Sequence, residues 1–238
     1  FYINPDLEPS RMNAIRAVAE RPDIGQLSIN GNLLEKNQDA YWIDKNFPVY
    51  NIGKHLKPGK NTLTLHAGRM NILAEIMPVY IMGNFLVKPA EKGFEITGGE
   101  ITNTESWIKS GMPFYSQKVS YTKNYSIPEK GNNSYKLKLN QWNGTIAEVL
   151  INGKEAGTIA WQPYELPVTD LLSNGTNEIT VKITGSLKNT FGCFYYKNDD
   201  WIFGPRSWNT APEKIPAADQ YFLMDYGLFE PFKLLRVN

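Results

Sequence analysis

Asp199, Asp200, Trp201, Arg206 and Trp208 crowd into one short stretch, and their chemistry suits a sugar. A pyranose has an apolar C–H face and a rim of hydroxyls. Aromatic rings cover the first, and Asp, Asn, Arg or Gln satisfy the second. Asp200, Trp201, Arg206 and Trp208 supply both, and Trp161 with Tyr164 could join them from an earlier loop. Each ring also has a plain structural use. Trp161 and Tyr164 stand in a Trp-x-Pro-Tyr motif that would pack a sheet edge and hold the loop. Trp161 reads as structural first, while Trp201 and Trp208 are open to both uses.

Hydrolysis of a glycosidic bond makes a stricter demand, two carboxylates roughly 5–10 Å apart across a cleft. Asp199 and Asp200 are adjacent, and neighbours in an extended chain point to opposite faces. Asp44, Glu75, Glu100, Glu105, Glu165 and Asp170 are scattered, so no catalytic residue is assigned. His55 and His66 lack ligand spacing and Cys193 is the single cysteine, which leaves no zinc motif. Cys193 reads as a small buried residue. Asp199–Asp200 could supply the oxygen ligands of a structural calcium ion, although a solvated acidic turn accounts for the pair better. No Gly-rich phosphate loop, Ser/His/Asp signature or basic-aromatic strip appears.

The elements that must position these residues read as strands. Ile179, Val181 and Ile183 alternate with Thr180, Lys182 and Thr184, a period of two with one apolar face. Asn174-Gly175 is a turn dipeptide just before them, and Asn152-Gly153 predicts a tight hairpin after Val149-Leu150-Ile151. Pro163 and Pro167 bar a regular helix upstream. Val168 to Leu172 reads as a short turn dropping leucines into a core. Earlier, Phe1–Ile3, 26–29 and 63–67 read as strands, and 12–20 as a strand in spite of its alanines. Residues 41–52 form an aromatic run broken by Pro48. Residues 119–127, 135–139 and 145–151 continue the pattern, and 221–237 holds two last strands. The long aromatic segment 189–220 is the least regular, and a loop of that length is more often functional than decorative.

The order Val-x-Ile-Asn-Gly at 149–153, Trp-x-Pro-Tyr at 161–164, a Leu-Leu turn, then Gly-x-Asn-Glu-Ile-x-Val at 175–181 resembles the galactose-binding-like jelly roll. Gly185-Ser186-Leu187-Lys188-Asn189 and 226–234 are similar to it too. The likeness covers the second half of the chain well and the first half loosely. Such modules accompany the catalytic domains of large glycoside hydrolases of the β-galactosidase and α-rhamnosidase types. The resemblance therefore implies a non-catalytic carbohydrate-binding or scaffolding region of a bacterial glycoside hydrolase. Its partners would be a glycan and a catalytic domain of the same polypeptide, and its location periplasmic, cell-surface or secreted. Two alternatives stay open: a purely structural module packed on a catalytic domain, and a hydrolase with its cleft between two modules.

The turn-and-strand grammar occurs twice. Ile29-Asn30-Gly31 matches Ile151-Asn152-Gly153, and Gly59-x-Asn61 with its strand matches Gly175-x-Asn177. Tyr41-Trp42 falls between the first pair as Trp161 and Tyr164 fall between the second. The expected fold is all-β, two tandem jelly-roll β-sandwich modules at 1–90 and 113–238, joined by a Gly-rich 91–112. Of 238 residues, 42% are hydrophobic and 13% aromatic, enough for a sizeable core. Lys+Arg 25 against Asp+Glu 24 gives a net charge of +1, which argues against nucleic-acid or anionic-membrane binding. No spanning segment is visible, so no membrane insertion is expected. The start at Phe1, without Met, suggests a piece of a longer polypeptide, so a missing signal says nothing of location.

Overall fold

The structure is a computed structural model that describes residues 1–20, 25–37, 39–69, 77–101, 106–192 and 213–237. It is mostly β, 44% strand and 9% helix, in several small and largely antiparallel sheets. No helix among the described residues is long and apolar enough to cross a membrane. The chain divides into two compact units, Phe1–Glu100 with Ala217–Asp219, and Ile101–Pro216 with Gln220–Asn238.

In the second unit, four antiparallel strands lie in the order Lys118–Ile127, Gly175–Thr184, Ile146–Ile151, Lys154–Ile159. The period-two pattern decides which side chains go inside: Ile179, Val181 and Ile183 are fully buried, as are Ala147, Val149 and Ile151 beside them. On the other face Lys118 Nζ meets the Glu148 carboxylate at 2.7 Å. A second sheet, Glu165–Pro167, Ser134–Lys138, Lys233–Val237, contributes Tyr135 and Leu137 to the same core. Val168 and Leu172 flank a 3-10 turn at Thr169–Leu171 and are both buried, as the leucine-turn reading expected.

The first unit repeats this plan in register. Arg16–Ala19 pairs with Asp44–Asn51 on one side and Val79–Met82 on the other, as Ser134–Lys138 pairs with Glu165–Pro167 and Lys233–Val237. Gly25–Ile29 pairs with Asn32–Leu33 and Leu63–Ala67, as Ile146–Ile151 pairs with Lys154–Ile159 and Gly175–Thr184. Tyr2–Ile3 pairs with Gly59–Lys60, as Ser126–Ile127 pairs with Gly175–Thr176.

Two asparagines fix each copy. Both Asn-Gly turns put two consecutive residues at positive φ, Asn30 and Gly31 at 50° and 84°, Asn152 and Gly153 at 49° and 77°. That is the backbone of the tight primed hairpin turn. Asn152 Nδ2 donates to Asn177 Oδ1 (3.0 Å), and the Glu178 N–H donates to Asn152 Oδ1 (2.9 Å). Asn177, wholly buried, accepts from the Ser173 N–H and donates to the Ser173 and Gly175 carbonyls. The first copy has the same set: Asn30 Nδ2 to Asn61 Oδ1 (2.8 Å), Thr62 N–H to Asn30 Oδ1 (2.9 Å), and Asn61 closing on Lys57 and Gly59. Each buried amide therefore has its partners, and each network ties a hairpin turn to the bend before the returning strand.

Three expectations need correction, and the 91–112 joint, which holds the division at Glu100 and Ile101, needs an addition. The stretch 12–20 divides: Pro9–Asn13 is a short helix with proline in its first turn, and only Arg16–Ala19 is a strand. Pro48 does not break 41–52, because Asp44–Asn51 is one strand through it. The ladder to Arg16–Ala19 stops at Val49, so no partner needs the N–H that Pro48 lacks. Residues 91–112 are more than a Gly-rich joint. Phe94–Thr97 is a strand paired with Leu86–Pro89, and Trp107 is 1% exposed in the second core. Finally, strand register matches Glu165–Pro167 to Val49–Asn51, so Tyr41-Trp42 precedes the segment equivalent to Trp161 and Tyr164.

Trp107 accounts for the Gly-Ser-Leu-Lys-Asn run. A Cβ on Gly185 would lie 2.7 Å from the Trp107 ring. Next to it, Ser186 Oγ bonds the Tyr226 hydroxyl, whose ring tilts against Trp107 at 5.7 Å. Asn189, also buried, donates to the carbonyls of Pro113 and Met224 and accepts from the Met224 N–H. The run thus holds three distant segments together.

The first unit carries its own aromatic group. Trp42 packs on Phe47 (6.3 Å, edge-on) and Tyr80 (5.5 Å, tilted). Burial, with the Glu20 carboxylate adding to it, pushes Tyr80 from 10.0 up to about 12. Folding therefore favours the protonated phenol. That contribution is whole below the unfolded value of 10 and is lost as pH rises toward the folded value of about 12. Tyr80→Phe should accordingly flatten the fall in melting temperature across this alkaline range, measured by calorimetry on both proteins.

Candidate functional site

Of the six candidate sugar-binding residues, Trp161 and Tyr164 lie within the described part of the chain. Asp200, Trp201, Arg206 and Trp208 lie outside it, with Asp199 and Cys193. The loop between Lys154–Ile159 and Glu165–Pro167 carries Trp161, and its Gln162–Pro163 peptide is cis. Trp161 is 80% exposed and Gln162 and Pro163 beside it are exposed too, whereas Tyr164 is half-buried. Tyr164 stands edge-on to Trp142, 5.4 Å between ring centroids, and its carbonyl accepts from the Leu139 N–H at 3.0 Å. So Tyr164 does the packing, and the structural use first given to Trp161 belongs to its neighbour.

A tryptophan this exposed hides little of its indole, although its area would favour burial. Its face is available to stack on an apolar ring surface. The strand that continues from the loop adds polar groups: the Glu165 carboxylate sits between Lys136 Nζ (3.6 Å) and Lys138 Nζ (3.4 Å). The exposed indole can cover the apolar face of a sugar. Sequence reasoning missed the contrast between the two aromatics, because Trp-x-Pro-Tyr does not say which ring points out.

Several carboxylates among the described residues have settled roles. Glu95 lies 2.8 Å from Lys88 Nζ and accepts from Asn4, and these bonds hold its carboxyl below the usual range. Asp6 accepts from Thr97 Oγ1 (3.0 Å), and Asp44 Oδ1 accepts from the Asn46 N–H (2.8 Å). No cluster of three His, Cys, Asp or Glu suited to a metal ion occurs among the described residues.

No family model matches the chain. Over 118 residues it is 30% identical to a putative β-glucuronidase of Formosa agariphila, a match covering 47% of this chain and 10% of that protein. The chain resembles part of large bacterial glycoside hydrolases. Among solved structures, a rhamnosidase from Novosphingobium sp. PP1Y aligns with 94% of this chain and 22% of its own, at TM-score 0.40 and 18% identity. The α-L-rhamnosidase of Streptomyces avermitilis aligns with 98% and 25%, at TM-score 0.35 and 13% identity. A β-glucuronidase of Bifidobacterium dentium aligns with 64% and 28%, at TM-score 0.37 and 16% identity. The chain thus spans about a tenth of the curated relative and 22–28% of these structures.

Proposed function

We propose that this chain is a non-catalytic, carbohydrate-binding region of a larger, exported glycoside hydrolase. Its two units are read as tandem jelly rolls of the galactose-binding-like kind, with a catalytic domain elsewhere in the same polypeptide. The observation that carries the reading is Trp161, 80% exposed on a loop whose other ring is committed to packing. Trp201, Trp208, Asp200 and Arg206 belong to the same proposal as further sugar contacts.

A glycan array read with calorimetric melting tests it. Trp161→Ala should weaken glycan binding by about 10- to 100-fold, the worth of one stacked aromatic, with the melting temperature unchanged. Trp201→Ala and Trp208→Ala should weaken the same binding. Wild-type protein that retains no glycan on the array, with Trp201→Ala and Trp208→Ala melting early, would leave a scaffold packed on a catalytic domain as the surviving reading.

A further inference from the structure

The first unit has a cleft of about 500 Å³ that nothing above uses. That volume falls inside the range of about 300–1,000 Å³ typical of small-ligand sites. Its wall includes Arg16, Asn37, Tyr41, Trp42, Met82 and Gly83. We propose that this cleft binds a pyranoside carrying an anionic substituent, a carboxylate or a sulfate ester. The proposal extends the carbohydrate reading to a second site and rests on it.

Three observations carry it. First, the two copies differ in length here. Asn30 precedes Asn152 by 122 positions but Asn61 precedes Asn177 by 116, so the first copy holds six more residues between turn and return strand. Strand register places the difference before Val49, in the segment that presents Tyr41 and Trp42. Second, that segment is held in a costly shape. Ile43, β-branched, sits at φ 64°, and the ladder shifts register between Tyr41 and Trp42. Strained turns of this kind persist where the surroundings impose them, often beside bound ligands. Trp42 is propped from behind by Phe47 and Tyr80, while Tyr41 is 55% exposed.

Third, the wall is cationic. Arg16 Nε donates to Asn51 Oδ1 at 3.1 Å, which orients the guanidinium, and its other N–H groups meet no carboxylate among the described residues. Among the described residues the cleft wall contains no Asp or Glu. A guanidinium so placed, with ring faces beside it and the Asn37 amide at the rim, suits a carboxylate or sulfate, whose oxygens match its fork. A neutral sugar offers that cation no opposite charge.

The test uses the whole 238-residue chain and the Trp42 indole N–H resonance, assigned with Trp42→Phe. The probes are methyl β-D-glucuronide, methyl β-D-galactoside 6-sulfate, methyl β-D-glucoside and inorganic sulfate. An anionic glycoside should shift this resonance with saturation, about tenfold or more tighter than the neutral glucoside. Whichever anionic probe binds more tightly identifies the substituent. Arg16→Gln should weaken anionic binding by about 10- to 100-fold, to the neutral level, and Tyr41→Ala should weaken both. Inorganic sulfate binding as tightly as the sulfated glycoside, or Arg16→Gln leaving affinity unchanged, overturns the proposal. Glycan binding that depends on Trp161 alone, with no anionic glycoside moving Trp42, sinks this site and spares the earlier reading. Binding of no glycan at all removes both.

Discussion

Asn177→Ala should lower the unfolding free energy by about 3–5 kcal/mol, because buried groups left without partners cost about 1–3 kcal/mol each. The substitution strands the Ser173 N–H, the Ser173 and Gly175 carbonyls, and the Asn152 amide. Asn177 is 0% exposed, so the gap it leaves opens on the interior, although Ser173, Gly175 and Asn152 themselves reach the surface. Asn61→Ala should cost somewhat less, for it strands the Lys57 N–H and the Lys57 and Gly59 carbonyls, while the Asn30 amide keeps the His55 carbonyl at 2.8 Å. Hydrogen exchange distinguishes the two. The first change should release amides of Gly175–Thr184, and the second those of Leu63–Ala67. A loss of under about 1 kcal/mol in urea denaturation, the worth of an ordinary solvated hydrogen bond, would show that the networks do not hold the units together.

Trp107→Ala should be equally severe, about 3–5 kcal/mol, as large aromatic truncations in cores are. Trp107 is 1% exposed, donates from Nε1 to the Tyr121 hydroxyl at 2.7 Å, and lies between Tyr115 and Tyr226. Trp107→Phe keeps most of the ring and loses only the N–H, so its cost should fall to about 1–2 kcal/mol. The Tyr121 hydroxyl, raised above its ordinary range chiefly by burial, would then lose a donor. Equal melting temperatures for wild type and Trp107→Ala would contradict the placement of Trp107 in the second core.

Much of the strand content was legible because one face is buried and the other solvated. Alternation at Ile179, Val181 and Ile183 is a direct imprint of that asymmetry, and Asn152-Gly153 names its own turn geometry. The repeat was legible through the same turns. Trp107 was not, because its strand-free segment gives no period and its partners lie far along the chain. Pro48 misled because a proline's cost depends on whether a neighbour needs its N–H, which is a property of the sheet. At the candidate site, the residue types showed that rings were available. Which of Trp161 and Tyr164 faced outward depended on Trp142, about twenty positions earlier.

The two units also show which positions of a shared pattern accept different residues. At two matched positions around the asparagine network the residues differ: Lys57 against Ser173, whose hydroxyl also reaches Asn177, and Thr62 against Glu178, which both give only their N–H groups. Sheet positions have exchanged one aliphatic for another, Leu63 for Ile179 and Leu65 for Val181. The loops have changed length, the paired asparagines lying 31 residues apart in one copy and 25 in the other. The asparagines themselves are unchanged. Altering Asn30 or Asn152 takes a donor from the buried amide of Asn61 or Asn177, so the pair resists change one step at a time. Other units with this pattern should therefore be easier to recognise by two interlocked asparagines, each beside a glycine turn, than by overall identity.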